Sequence, residues 1–385
     1  MGYTALMNLQ VDIRSFFLVV AAIQATIFSL LLVWRSWRNH RLSDRLLALF
    51  LIALAATLSE HIAGWMNWYQ GQRLTFFPFG NNFLFAPLAY LYVKSITNNA
   101  YRFRRKEWFH FIPAMIYFTF HLTIWVLGVE RKIEIIQHLN NYYYFYTEGT
   151  LDLLVLTYYL MASIQHYQKY LKWIPSAFSN LPLVSLTWLR NFLIILAAVC
   201  TIEWAFSLTS LIVEFGYGVR YWDYFIRAIL LYFLSIAGFT YSQRTDIVFK
   251  DVRPEEIKYD ENKSRDGNVI IKQKIMQHMV AVKPYLDPEL TLSQLSQQTE
   301  LPTPLVSQTI NAGMGKNFND FINEYRVQEI CQRLNNDEHK TKTLLGVGLD
   351  CGFNSKATFN RSFKKVTGVT PREWLENQNT KSQII

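Results

Sequence analysis

The chain has 385 residues and a formal net charge of +9; 51% of its residues are apolar, 16% aromatic and only 17% charged. A soluble domain carries about 25% charged residues, so a uniformly soluble chain is excluded. Three cysteines (Cys200, Cys331 and Cys351) without a CxxC or Cys/His pattern exclude a disulfide framework and suit a reduced setting.

The average conceals a division. Residues 1–243 hold a succession of long apolar stretches, and residues 244–385 have ordinary soluble composition. Crossing the ~30 Å hydrocarbon core of a bilayer takes about 20 mostly apolar residues. Seven windows meet that length: 13–34, 46–66, 74–96, 109–129, 145–167, 188–213 and 222–242. The third is interrupted by Pro78, Gly80 and Pro87, the fifth by Glu148 and Asp152. The first is too long for the core of a signal peptide and lacks a small-residue cleavage site, so it is expected to persist as a helix.

Loop charges give the orientation. Arg35, Arg38, Arg41 and Arg45 follow the first window; Arg102, Arg104, Arg105 and Lys106 follow the third; Lys169, Lys172 and Arg190 lie between the fifth and sixth. The alternate loops hold only Arg73, then Arg131 and Lys132, then Arg220. Loops rich in Lys and Arg stay in the cytoplasm, so the N-terminus is expected outside and the end of the seventh window inside. The aromatic run at 142–146 and the pair Tyr221 and Trp222 fit membrane interfaces.

Several ionisable residues fall inside these windows: Glu60, His61, His121, Glu148, Asp152, Glu203 and Arg227. A charge at mid-membrane is costly, so they should face the bundle interior, an aqueous cavity or one another. Two readings stand side by side. Glu148, Asp152, Glu203 and Arg227 form a signal-binding cavity near the outer face, or they pair, Arg227 with Glu203 or Asp152, and hold the bundle together. Glu148 and Asp152, four apart, share a helix face. His61 and His121 read as packing histidines; with no HExxH-like cluster, no metal and no cofactor are expected.

Residues 244–268 are charged, contain Pro254 and lack a sustained apolar period, which reads as a hydrated linker or a short solvated helix. Residues 269–285 then carry Ile271, Ile275, Met279 and Val282 at helical spacing, and Pro284 ends the pattern. Leu292, Leu295 and Leu301 fit a helix packed back across a short turn. Leu305 or Val306, with Ile310, gives the inward face of a second short helix. Phe318, Phe321, Ile322, Tyr325, Val327 and Ile330 mark a longer one. In a second helix-turn-helix unit, Leu345, Val347 or Leu349 faces inward before a turn at Gly352 and Phe353, and Asn354 or Ser355 can cap the next helix. Phe359 and Phe363, four apart, bury one face of that helix and leave Lys356, Thr358, Asn360, Arg361 and Lys364 exposed.

The stretch GFNSKATFNRSFKKVTGVTP (Gly352 to Pro371) has Gly-Phe in the turn, Phe–x–x–x–Phe-Lys in the helix and Gly–x–Thr-Pro at the end. It resembles the AraC/XylS family of bacterial transcription activators, and the resemblance runs from about Tyr285 to Trp374. A multi-span N-terminal half on such a domain is similar to a membrane-bound branch of that family. The resemblance implies an all-α fold with two helix-turn-helix units joined by a long helix, each offering a recognition helix to the major groove of double-stranded promoter DNA. It places DNA contacts at Pro304, Ser307 and Gln308 in the first unit and at Lys356, Thr358, Asn360, Arg361 and Lys364 in the second. By chemistry, Arg361 can read guanine bidentately, Gln308 adenine, and Lys364 a phosphate.

The first unit departs from the family. Glu300 stands where glycine is frequent, at a left-handed turn, and Pro304 removes a contact side chain. In the second unit, Gly346 and Gly348 take helix positions at which each costs about 1 kcal/mol relative to alanine.

The expected architecture is thus a transmembrane domain of about seven spans over 1–243, a linker over 244–268, a DNA-binding domain over 269–376 and a polar tail over 377–385. The expected function is a non-enzymatic, one-component sensor-regulator of the bacterial inner membrane with its DNA-binding domain in the cytoplasm. Its expected partners are promoter DNA, membrane lipid, RNA polymerase, an unidentified small-molecule signal and a second copy of the chain. The competing reading is a transporter using Arg227 and the acidic residues, or a lipid-modifying enzyme using Glu148, Asp152 and His61. No nucleophile elbow, HxxxxD, HExxH or phosphate loop supports the enzyme.

Overall fold

A computed structural model describes residues 13–65, 74, 76–138, 141–213, 217–241 and 265–382. These residues are predominantly helical, with no strand among them beyond one isolated bridge. Residues 244–264 of the expected linker and 383–385 of the expected tail lie outside the described residues. The chain divides into two compact units, Met1–Gln168 with Thr187–Lys250, and Lys169–Leu186 with Asp251–Ile385. The connection at 169–186, expected to be one more loop of the N-terminal half, therefore belongs with the C-terminal domain.

The N-terminal helices are α1 (Ile13–Asn39), α2 (Leu42–Trp65), α3 (Asn82–Thr97), α4 (Ile112–Val126), α5 (Val129–His138) and α6 (Asn141–Trp173). After α7 (Leu181–Val184), a single turn in the second unit, come α8 (Thr187–Ser210) and α9 (Tyr217–Tyr241). Among the described residues, five stretches are long and apolar enough to cross a membrane: Phe16–Asn39, Leu42–Gly64, Arg105–Val126, Thr187–Ser210 and Gly218–Tyr241. The other two expected windows differ. The third forms α3, only 16 residues with Pro87 inside, or about 24 Å of helix, short of the hydrocarbon core. The fifth lies within α6, whose 33 residues give about 50 Å but include Glu148 and Asp152.

Helices α1, α2 and α9 pack on one another, with α3 against α2 and α8 against α9. Most of α2 is enclosed, whereas α1 turns Phe16, Ile23, Ile27 and Leu30 outward, each more than half exposed. Arg35 departs from the expectation that it is a loop charge. It is buried and bidentate to Asp44, Nε to Oδ2 at 2.8 Å and Nη2 to Oδ1 at 2.7 Å, while Nη1 donates to the Phe239 carbonyl at 2.6 Å. The pair clamps the C-terminal end of α1 to α2 and α9. A forked guanidinium suits that task, because both carboxylate oxygens are satisfied at once.

The second unit holds α10 (Arg265–Val282), α11 (Leu292–Thr299), α12 (Thr303–Met314), α13 (Phe318–Asn335), α14 (Leu344–Asp350), α15 (Lys356–Thr367) and α16 (Pro371–Ser382). Helix α10 begins inside the segment expected to be linker. It stops at Lys283, which is left-handed (φ 52°) before a 3-10 turn at Pro284–Leu286. Its Ile275 and Met279 are fully buried, but Val282 is 60% exposed and is not part of the inward face. The capping box of Thr291 and Gln294 starts α11, and Ser355 caps α15.

Two apolar cores result. One gathers Ile275, Met279, Leu295, Val306, Ile310 and Phe321; the other gathers Val327, Ile330, Val347, Phe353, Phe359 and Phe363. Helix α13 gives its first half to one core and its second half to the other. A single rigid helix thus fixes the spacing of the two helix-turn-helix units. In α14 it is Val347 that faces inward, while Leu349 is exposed.

Candidate nucleic-acid interface

Helix α15 is held from three directions. Ser355 Oγ accepts the Thr358 N–H at 3.2 Å and donates to Thr358 Oγ1 at 3.0 Å. Phe359 and Phe363 anchor its inner face, and Lys365 Nζ reaches Asp320 Oδ1 of α13 at 2.7 Å. Helix α14 comes close because residue 348 is glycine: a Cβ there would sit 3.1 Å from the Phe359 ring. The glycine expected to weaken α14 is what lets α14 pack on the recognition helix.

On the outer face of α15, Lys356, Asn360, Arg361 and Lys364 are exposed. The side chains of Asn360 and Arg361 engage no other described residue. Thr358 is half-buried and its hydroxyl is taken up by the cap, so it is the least available of the five expected contacts. Three exposed cations along α15, Lys356 at its start, Arg361 midway and Lys364 in its last turn, suit a polyanion, and a forked guanidinium between the two lysines suits a guanine edge.

The first unit offers less. Ser307 and Gln308 of α12 are half-buried and Ser307 Oγ accepts from Asn311 Nδ2 at 3.2 Å; Pro304 is exposed. Glu300 does take the left-handed conformation expected of it, with φ 54° and ψ 31°.

A feature not visible as a motif lies between the two units. Arg326 of α13 is almost fully buried. Its Nε donates to the Tyr285 carbonyl at 2.7 Å, and its Nη2 donates to the Asp287 carbonyl at 2.7 Å and to Ser179 Oγ at 3.2 Å. The guanidinium also lies over the Phe353 ring. Burial pulls Arg326 down to about 10, still charged at neutral pH. Gly352, at φ 91°, closes this site: a Cβ there would lie 2.6 Å from the Tyr285 carbonyl and 2.9 Å from Arg326 Nε. The Gly-Phe of the turn is thus required by an arginine in another helix, a link that spacing alone does not reveal. Nearby, burial pushes Glu329 up, but hydrogen bonds from Lys283, Arg333 and Tyr285 outweigh it and hold the carboxyl below its ordinary value.

In the N-terminal unit, Arg227 of α9 contacts Glu203 of α8, and its Nη2 lies 3.2 Å from Asp223. Glu148 lies 3.7 Å from His121, and His61 stacks on Tyr224 with centroids 4.4 Å apart. Asp152, Glu203 and Arg227 line a pocket whose other walls are apolar, among them Phe50, Leu54, Phe85 and Leu230. Asp152 Oδ1 and Arg227 Nε are buried there without a hydrogen-bond partner. Glu148 does not line the pocket. Among the described residues, no group of three or more His, Cys, Asp or Glu side chains is placed to hold a metal.

Residues 295–377 match the family model described as a helix-turn-helix domain. No curated protein and no solved structure matches the chain. Two helix-turn-helix units on a shared helix, the second with an exposed cationic recognition face, define a DNA-binding regulator of transcription. Residues 295–377 are thus similar to AraC-type helix-turn-helix domains, and among the described residues the N-terminal half holds five helices apolar and long enough to cross a membrane.

Proposed function

We propose that the chain is a one-component regulator held in the cytoplasmic membrane, with a signal received among its N-terminal helices changing how its C-terminal domain uses promoter DNA. The observation that carries the DNA-reading part is α15. Its cap, its two buried phenylalanines and Gly348 fix it, while Lys356, Asn360, Arg361 and Lys364 stay available on the opposite face. Arg361 reads a base edge; Lys356 and Lys364 hold phosphates; Asn360 and, in the first unit, Ser307 and Gln308 add weaker contacts.

Membrane tethering is supported by the five long apolar stretches and by the outward apolar face of α1, which water would make an aggregation hazard. For the signal, Asp152 Oδ1 and Arg227 Nε lie unpaired in an apolar-walled pocket that in this arrangement has room for about one water molecule, so a ligand that donates to the one and accepts from the other would enter only as the helices part. Glu203 holds Arg227 in place, and Glu148 acts through His121. RNA polymerase and a second copy of the chain are the proposed protein partners.

The test is selection of fragments from a genomic DNA library by the vesicle-embedded chain at fixed salt. Wild type is expected to enrich a defined set of sites. Arg361→Ala is expected to relax the preference at one position, losing about 1–3 kcal/mol of discrimination, while Lys364→Ala weakens all sites alike and lowers the salt slope by about 1. Binding without sequence preference in the wild type would sink the DNA-reading function.

A further inference from the structure

Ile174 to Asn180 run from α6 to α7, on the way to α8, and they are folded into the C-terminal unit. Phe178 forms an antiparallel bridge with Thr291, the residue that caps α11. The Leu292 N–H donates to the Ala177 carbonyl at 2.9 Å, and the Leu290 carbonyl accepts both the Ser179 N–H at 3.2 Å and Ser179 Oγ at 2.7 Å. On the other side, Asn319 Nδ2 of α13 donates to the Ser179 carbonyl at 2.7 Å, and Arg326 Nη2 reaches Ser179 Oγ. Ser179 is 1% exposed and Asn319 7%. Every backbone polar group of Ser179 is therefore satisfied by residues more than a hundred positions away.

A solvated loop would satisfy these groups with water and would leave the Leu290 carbonyl and Asn319 amide to do the same. Here the Ser179, Leu290 and Asn319 groups pair with one another in a seam, as buried polar groups must in order to be tolerated, while the buried Asn180 Nδ2 beside them has no hydrogen-bond partner. The seam ties the start of α11 to α13, the two helices on either side of recognition helix α12. None of its hydrogen bonds goes to α12 or α15, so a docked seam leaves the reading faces uncovered.

We propose that residues 174–180 are a strap by which the membrane half grips the DNA-binding domain, and that the docked strap holds the first helix-turn-helix unit in its DNA-reading arrangement. The strap is covalently continuous with α6 and α8, the helices that carry Asp152 and Glu203. It is thus a second route from the membrane half into the DNA-binding domain, besides the chain running from α9 to α10. The second half of the proposal rests on the DNA-reading function above; the docking does not.

The test uses the full chain in vesicles. Opposed residues of an antiparallel bridge have Cα atoms about 4.5–5.5 Å apart, within the about 4.4–6.8 Å that a disulfide spans. Phe178→Cys with Thr291→Cys is expected to lose two maleimide-reactive thiols on mild oxidation, while Phe178→Cys with Lys342→Cys keeps them. Ser179→Ala changes only the strap and leaves every residue of the DNA-binding domain in place. It is expected to weaken the selected DNA site by about 3- to 10-fold, and the oxidised cysteine pair in the same background is expected to restore binding. A cysteine pair at 178 and 291 that stays as reactive as the control overturns docking. Equal DNA affinity in wild type and Ser179→Ala, with cross-linking intact, overturns the holding role. If even wild type prefers no site, the DNA-reading function is at fault and the holding role falls with it, while the cross-link still decides docking.

Discussion

Arg326 shows how much of a fold can hang on one side chain that no motif announces. Four acceptors, the carbonyls of Tyr285 and Asp287, Ser179 Oγ and Asn323 Oδ1, depend on it. Replacing it with methionine keeps much of the volume but leaves buried carbonyls unpaired, and Arg326→Met is expected to destabilise the C-terminal domain by about 3 kcal/mol. Pulse proteolysis of the vesicle-embedded chain in urea measures this; an unchanged urea midpoint would refute it. Glu329 gives a pH signature. Its carboxyl is held below the ordinary value of 4.5, so it binds protons more readily unfolded than folded. The stability it contributes is complete above that value and is lost as pH falls through it toward the lowered folded value. Glu329→Gln is accordingly expected to flatten the acid limb of the domain's stability profile, starting below about pH 5, with little change in slope at neutral pH.

The elements of the C-terminal domain were largely legible because their signals are local. Phe359 and Phe363 four apart, Ser355 before them, and Leu292 with Leu295 each declare a helix face or a cap within one turn, and each is found as expected. Glu300 was readable too, since a left-handed turn has a narrow residue preference. Gly348 was readable only as an anomaly. Helix propensity counts it as a loss relative to alanine, and the compensation, contact with the Phe359 ring, lies across a turn. Gly348→Ala separates these effects: propensity alone predicts a gain of about 1 kcal/mol, and overpacking a loss of about 1–3 kcal/mol. A net loss of stability, with weaker DNA binding because α15 is displaced, is expected from denaturation and binding assays on the same variant. The third apolar window forms a shorter helix than its length suggests. Its composition resembles a span, but Pro78 and Gly80 precede the start of a helix that reaches only from Asn82 to Thr97.

At the scale of the whole molecule, composition divides the chain into an apolar and a more polar half, and the boundary between the two compact units does not follow that division. Side-chain periodicity cannot show that residues 174–180 fold with the second unit, because the seam is built mainly from backbone groups, and every residue has those. The charges within the apolar stretches were legible as a set, but not their arrangement: Arg227 with Glu203 and Asp223, and Asp152 left with an orphaned oxygen. If that oxygen receives the signal, Asp152→Asn should shift basal expression of a reporter driven by the selected site several-fold at equal membrane abundance; identical expression would leave it a packing residue. The strap also limits modularity. A chimera that joins this DNA-binding domain to a foreign receptor at the natural breakpoint, between α9 and α10, would leave the strap behind and open a polar scar along Leu290, Asn319 and Arg326. Transplanting the domain intact means carrying Ile174 to Asn180 with it, so the heritable unit of DNA recognition in this protein is discontinuous in its gene.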